Sequence, residues 1–98
     1  MMGRMSPENL IAERLSSFAE VERVILFGSR ARGDASPRAD IDIAVDCPGA
    51  DARCWSEIEE AVENAPTLLQ IDLVRLDRAP AELASVIGAE GKVLYERL

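Results

Sequence analysis

Residues 26–45 read Leu26-Phe27-Gly28-Ser29-Arg30-Ala31-Arg32-Gly33-Asp34-Ala35-Ser36-Pro37-Arg38-Ala39-Asp40-Ile41-Asp42-Ile43-Ala44-Val45. The segment opens on the end of an apolar run, Val24-Ile25-Leu26-Phe27, that stops hard at Gly28, as a buried strand does before a tight turn. It closes on an alternation: Ile41, Ile43 and Val45 fall on one side, and Asp40, Asp42, Ala44 and Asp46 on the other. A two-residue period of this kind predicts a strand with one face in the core. Between the two, residues 28–39 are rich in Gly, Ser, Arg, Asp and Pro. They predict a loop with one helical turn near Ser29–Arg32, long enough to hold a ligand and return the second strand antiparallel to the first.

Toward the N-terminus, Ser6-Pro7-Glu8 has the form of an N-cap, a proline at the first helical position and an acid in the first turn. With Ile11, Leu15 and Phe18 at helical spacing, it predicts an amphipathic helix over residues 6–20. Toward the C-terminus, Pro48-Gly49 breaks the chain. Residues 51–64 then place Trp55, Ile58 and Val62 on one side of a helix that Pro66 ends. Residues 68–75 alternate again, Leu69, Ile71 and Leu73 against Gln70, Asp72 and Val74. Pro80 opens a further helix with Leu83, Val86 and Ile87 inward, Gly91 ends it, and Val93-Leu94-Tyr95 predicts a last strand. The order is α-β-α-β-α-β-α-β when the turn at 29–32 is counted. This is an α/β (α+β) chain, with a small mixed β-sheet flanked by helices and a single domain over 1–98.

The bulk properties narrow the function. Ninety-eight residues make one domain, with little material beyond a single core. Eleven basic against 18 acidic residues give a net charge of −7, whereas a nucleic-acid binder draws much of its affinity from a basic surface. No direct nucleic-acid partner is expected. With no histidine and only Cys47 and Cys54, a zinc site within the chain is excluded. The two cysteines read as reduced thiols of a cytosolic protein, with a disulfide the open alternative. No signal-type segment and no membrane-length apolar run is visible, so a soluble, cytoplasmic protein is expected.

Three features carry the chemistry: Gly28-Ser29 after a buried strand, Asp40-x-Asp42 at the start of the next strand, and Asp72 within a later one. Asp40 and Asp42, two apart on a strand, share a face about 6–7 Å apart along the backbone. If the strand bearing Asp72 pairs with residues 40–46, three carboxylates meet, and they repel unless a cation intervenes. Mg²⁺ suits such oxygen donors and leaves room for phosphates. Two ions in one site hold the attacking and leaving oxygens of an in-line displacement. Glycine lets a phosphate approach the backbone, N–H groups opening a helical turn point at it, and Arg30 and Arg32 add positive charge. Each element alone is also what a solvated strand face or a plain turn looks like. Together, Gly-Ser followed at this spacing by Asp-x-Asp arises by chance on the order of once in a thousand chains of this length.

Gly28-Ser29, ten intervening residues, then Asp40-x-Asp42 resembles the GS-x10-DxD motif of the polymerase-β-type nucleotidyltransferase superfamily. The run LFGSRARGDASPRADIDIAV is similar to its minimal nucleotidyltransferase (MNT) branch. The resemblance covers almost the whole chain, including Ile71-Asp72-Leu73-Val74 and Glu90-Gly91-Lys92-Val93-Leu94-Tyr95. It implies that Asp40, Asp42 and Asp72 are the catalytic, metal-binding carboxylates for two Mg²⁺ ions. It also implies that Gly28 and Ser29, beside Arg30 and Arg32, hold the triphosphate of ATP as substrate. It further implies a partner, a small helical HEPN protein, toward which MNT proteins act as antitoxins, in characterised systems by adenylylating a tyrosine of the toxin. Many relatives have Ser where this chain has Ala39, a position that ligates no metal. The alternative is a catalytically silent antitoxin that neutralises a partner by occlusion. A homodimer or hetero-oligomer is compatible with either.

Overall fold

The computed structural model describes residues 5–98. The Ser6 hydroxyl accepts the Asn9 N–H (3.3 Å) and starts helix α1, Pro7–Leu15, which buries Ile11, Ala12 and Leu15. The helix ends well before residue 20. The hydroxyls of Ser16 and Ser17 donate back to the carbonyls of Glu13 (2.6 Å) and Arg14 (2.8 Å), the local bonding by which serine competes with helix continuation. Phe18 still packs against the core, from a turn.

Strand β1 is Arg23–Phe27, the short helix α2 is Ser29–Arg32, and β2 is Ile41–Asp46. Helix α3, Ala52–Glu63, is capped by the Asp51 carboxylate on the Cys54 N–H (2.8 Å) and buries Cys54, Ile58 and Val62. Strand β3 is Ile71–Arg75, followed by a 3₁₀ turn, Leu76–Arg78. Helix α4 is Ala81–Glu90 and strand β4 is Lys92–Glu96. The alternation at 68–70 does not become strand. The Thr67 hydroxyl accepts the Leu69 N–H (3.1 Å), holding these residues in a turn that leaves Leu68 fully exposed.

The sheet order is β3-β2-β1-β4, with β1 antiparallel to both β2 and β4, and β2 parallel to β3. A mixed sheet with helices on it is the architecture expected from the sequence. One face carries Val24, Leu26, Ile41, Ile43 and Val45, with Ile71 and Leu73 packed beside them, under α1 and α3. The other face is not simply solvated. Ala44, placed by its period with the aspartates, is completely buried with Ile25 and Ile87 in a second, smaller core beneath α4. Gly91 ends α4 in extended backbone, φ −72°, and not in the left-handed form typical of a C-terminal glycine. Its need for glycine is steric, since a β-carbon there would overlap Ile25 and the Ile87 carbonyl.

At the end of the sheet away from the Gly28 turn, Arg75 donates to the carbonyls of Cys47 (3.0 Å) and Ala50 (2.8 Å), pairs with Asp77 (3.1 Å), and lies 5.6 Å from the half-buried Trp55 ring. The Cys47 N–H bonds Asp77 in turn (3.1 Å). Arg75→Lys keeps the charge but not the fork that reaches two carbonyls and a carboxylate. It is expected to cost about 1–3 kcal/mol, read as a lower Tm by circular dichroism. Cys47 and Cys54 are free and buried, and burial pushes the Cys47 thiol up to about 11, so it stays protonated and unreactive. Among the described residues no helix is long and apolar enough to cross a membrane.

Candidate active site

The second face of the sheet changes character along its length. Under α4 it is apolar. At the end where β1 stops and β2 and β3 begin, it is acidic. The register fixes this: Asp42 lies opposite Phe27 on β1 and opposite Asp72 on β3. Paired positions on neighbouring strands point the same way from the sheet, so two carboxylates stand side by side. Asp40 is one residue ahead of β2 and exposed. The next residue is tied to the residue just before β3 by the Ile41 N–H on the Gln70 carbonyl (2.9 Å).

The electrostatics record this crowding. The Asp42 carboxyl is held above the usual carboxylate range, first by burial, then by the charge of Asp72, a hydrogen bond with it, and the charge of Asp40; Arg32 pulls the other way. Asp42 thus senses both other aspartates. Among the described residues no group of three or more Asp, Glu, Cys or His side chains is placed to hold a metal ion, so the three-carboxylate meeting expected from the sequence is not formed. What is present is a close pair, Asp42 and Asp72, with Asp40 beside it. Hard oxygen donors in conflict with one another are the type of set that a divalent cation relieves.

Gly28 touches this pair directly. Its backbone, φ 74° and ψ −156°, lies in a region that essentially only glycine occupies, and a β-carbon there would overlap the Asp42 carboxylate. The first helical bonds of α2 are donated by Ala31 and Arg32, both to the Gly28 carbonyl (3.1 Å each). The N–H groups of Ser29 and Arg30 therefore precede the helical ladder and have no acceptor within it. The turn and the carboxylates share one corner of the molecule.

The two arginines of the turn differ. Arg32 is half exposed, pairs with Asp34 (3.3 Å) and with Glu90 of α4 (3.2 Å), and acts on Asp42 through its charge. Arg30 is largely enclosed and directs its guanidinium onto protein acceptors, the carbonyls of Pro37 and Ala39 and the Glu8 carboxylate. Two neighbours escape sequence reading. Gln70 donates to Asp72 (3.4 Å), which its position two residues earlier on the same face signals only weakly. Glu8, Arg30's partner from α1, carries no such signal.

The family model described as "Polymerase beta, Nucleotidyltransferase" matches residues 9–98. The comparison with curated proteins finds no significant match. Among solved structures, the chain is similar to one in a toxin–antitoxin complex with AMP-PNP, at 29% identity and a TM-score of 0.73, covering 92% of this chain and 73% of the other. It is also similar to one in the complex of a tri-AMPylated Shewanella oneidensis HEPN toxin with its MNT antitoxin, at 27% identity and a TM-score of 0.67, covering 93% and 71%. A MntA–HepT toxin–antitoxin complex gives the same identity, coverage and TM-score. With nine-tenths of its length matched by the family model and its acidic pair set against the Gly-Ser turn, the chain belongs to the polymerase beta nucleotidyltransferase family.

Proposed function

We propose that the chain transfers AMP from ATP, with Mg²⁺, to a hydroxyl of a HEPN-type helical partner, and so serves as the antitoxin of a toxin–antitoxin pair. The observation that carries the reading is the side-by-side placement of Asp42 and Asp72 against the Gly28 backbone. Family membership and the likeness to structures holding AMP-PNP and an AMPylated HEPN toxin support the nucleotide and the partner. The two buried free thiols suit a cytoplasmic setting.

Magnesium fits this donor set, because burial and two like charges disfavour the ionised Asp42, a conflict that a cation removes. Asp42 and Asp72, with Asp40, would hold it, and when bound it would neutralise phosphate charge and activate the acceptor oxygen. The chain's own residues do the rest. The N–H groups of Ser29 and Arg30 and the Ser29 hydroxyl donate to phosphate oxygens, which glycine at position 28 allows to come close. Arg32 supplies positive charge at the rim. The acceptor oxygen attacks the α-phosphorus, Asp72 takes the hydroxyl proton, the bond between the α-phosphorus and its bridging oxygen breaks, and pyrophosphate leaves. Catalysis is positioning and charge compensation.

The test is incubation of the chain with its HEPN partner and α-labelled ATP, with and without Mg²⁺. Label on the partner that requires Mg²⁺ is the expected result. A partner neutralised without label, by a chain whose Tm does not respond to Mg²⁺ and ATP, would replace catalysis with occlusion. Ligand at a hundred times its Kd adds about 2.7 kcal/mol of stability, so a binder would not be missed.

A further inference from the structure

We infer that Arg30 is a positioning residue for the acidic site and not a phosphate ligand: its guanidinium fixes the carbonyls of Pro37 and Ala39, and so sets where Asp40 enters the carboxylate group. The inference rests on the proposed reading of Asp40 as one of three cooperating carboxylates, and concerns how that group is held.

The bonding pattern carries it. Nε and Nη2 both donate to the Ala39 carbonyl (3.1 and 3.0 Å), Nη2 also donates to the Pro37 carbonyl (3.0 Å), and Nη1 meets the Glu8 carboxylate (3.3 Å). The Arg30 and Glu8 side chains are only 15% and 14% exposed. A planar fork satisfied on three sides in a largely enclosed place is pre-organised for these acceptors. Leaving them for a phosphate would strand the Glu8 carboxylate without its cation, a costly state for an enclosed charge. Arg32, half exposed and electrostatically linked to Asp42, is the arginine of the turn that faces the reaction.

The place of these carbonyls in the chain gives the bonding its purpose. Asp42 and Asp72 lie inside strands, and the ladder fixes their backbones. Asp40 precedes β2, so the ladder holds it only from one side, through Ile41. On the other side, Ala39 is held by Arg30 and by its own N–H on the Ser36 carbonyl (3.0 Å). Arg30 also follows Gly28-Ser29 directly, so one residue ties the turn to the approach of the first aspartate. Because the guanidinium reads the Ala39 carbonyl, the side chain at position 39 is free to be alanine.

The test compares wild type with Arg30→Lys and Arg30→Gln. Amide exchange at residues 38–41 is measured in metal-free protein, binding of Mn²⁺ alone by calorimetry, and the KM for ATP in labelled transfer. Exchange at 38–41 is expected to rise at least about tenfold in both variants, with the strand interiors unchanged. Mn²⁺ affinity should fall about 10–100-fold, the range for lost support of a metal ligand. The KM for ATP should stay within roughly twofold. Lysine is expected to behave like glutamine, since one ammonium cannot bridge two carbonyls and a carboxylate. A raised KM for ATP with unchanged exchange and Mn²⁺ affinity would make Arg30 a phosphate ligand and overturn the inference, as would no change in any measurement. If either variant loses its melting transition, Glu8→Gln, which removes only the anchoring charge, carries the same comparison. Exchange and Mn²⁺ binding are read without transfer, so a wild type that moves no AMP counts against the proposed function alone.

Discussion

Asp42→Asn is expected to abolish AMP transfer and, at the same time, to make the metal-free domain more stable. In the proposed mechanism Asp42 would ligate the cation, and loss of such a ligand removes several kcal/mol of transition-state stabilisation, on the order of a 10³-fold fall in rate at about 1.4 kcal/mol per tenfold. The stability gain follows from the sign of the Asp42 shift. Its folded carboxyl is held above its ordinary range by burial and by Asp72 and Asp40. The stability contributed by such a group is complete below its unfolded pKa and is lost as pH rises through the folded value. At neutral pH the ionised side chain therefore opposes folding. Asparagine fills the same volume without the charge. Like charges directly opposite one another on strands cost up to about 1 kcal/mol, which corresponds to about 4–8 °C of Tm in a domain of this size. Melting both proteins in EDTA at pH 7 should show the variant higher, and the gap should close as pH falls through the carboxylate range. An Asp42→Asn protein that keeps its transfer rate removes Asp42 from the mechanism. One that melts below wild type in EDTA contradicts the electrostatic account.

Gly28→Ala is expected to damage the protein in two separable ways. The backbone at position 28 costs a non-glycine residue on the order of 1–3 kcal/mol whatever surrounds it, read as a fall in Tm. The new methyl group also overlaps the Asp42 carboxylate, which must move. A displacement of about 1 Å at a reacting centre costs roughly 10²-fold in rate. Transfer should therefore fall by at least that factor even at temperatures where the variant is fully folded. Gly33→Ala is the control. Its backbone is also left-handed, φ 82°, but a β-carbon there meets nothing within 4 Å, so it should lose stability and keep most of its rate. Equal rate losses in the two variants would show that backbone strain alone, and not the Asp42 contact, explains the glycine at 28.

The parts of this molecule legible in its sequence are those governed by period and local chemistry. The alternation at Ile41–Val45 gives β2 its core face, the apolar run before Gly28 gives β1, and Ser6-Pro7 gives the start of α1. The expectation that Asp72 would join Asp42 depended on one pairing, and β3 makes that pairing in register. Other features depend on contacts that no period encodes. Ala44 is buried because α4 docks Ile87 onto it from 43 residues further along the chain. Helix α1 stops short because two serine hydroxyls find carbonyls behind them. Residues 68–70 fail to become strand because a threonine hydroxyl captures an amide. Arg30 reads in sequence as a cation beside a phosphate turn, since charge is visible in the letters. Two of its acceptors are main-chain carbonyls, which are the same for every residue and so leave no mark, and the third, Glu8, lies on a different helix.

The parallel ladder between β2 and β3 has a consequence for how the protein comes into being. Asp42 and Asp72 become neighbours only when a stretch that includes the whole of α3 has been spanned, and contacts of such sequence separation carry a loop-closure cost that local hairpins avoid. The antiparallel pairing of β1 with β2 can form early without bringing Asp72 against Asp42. The like charges are forced together only at the closing step, when the packing of Ile71 and Leu73 against the main core offsets their repulsion. A growing chain thus cannot set Asp42 beside Asp72 until β3 has been made, and the longest closure of the sheet, β1 with β4, follows later still.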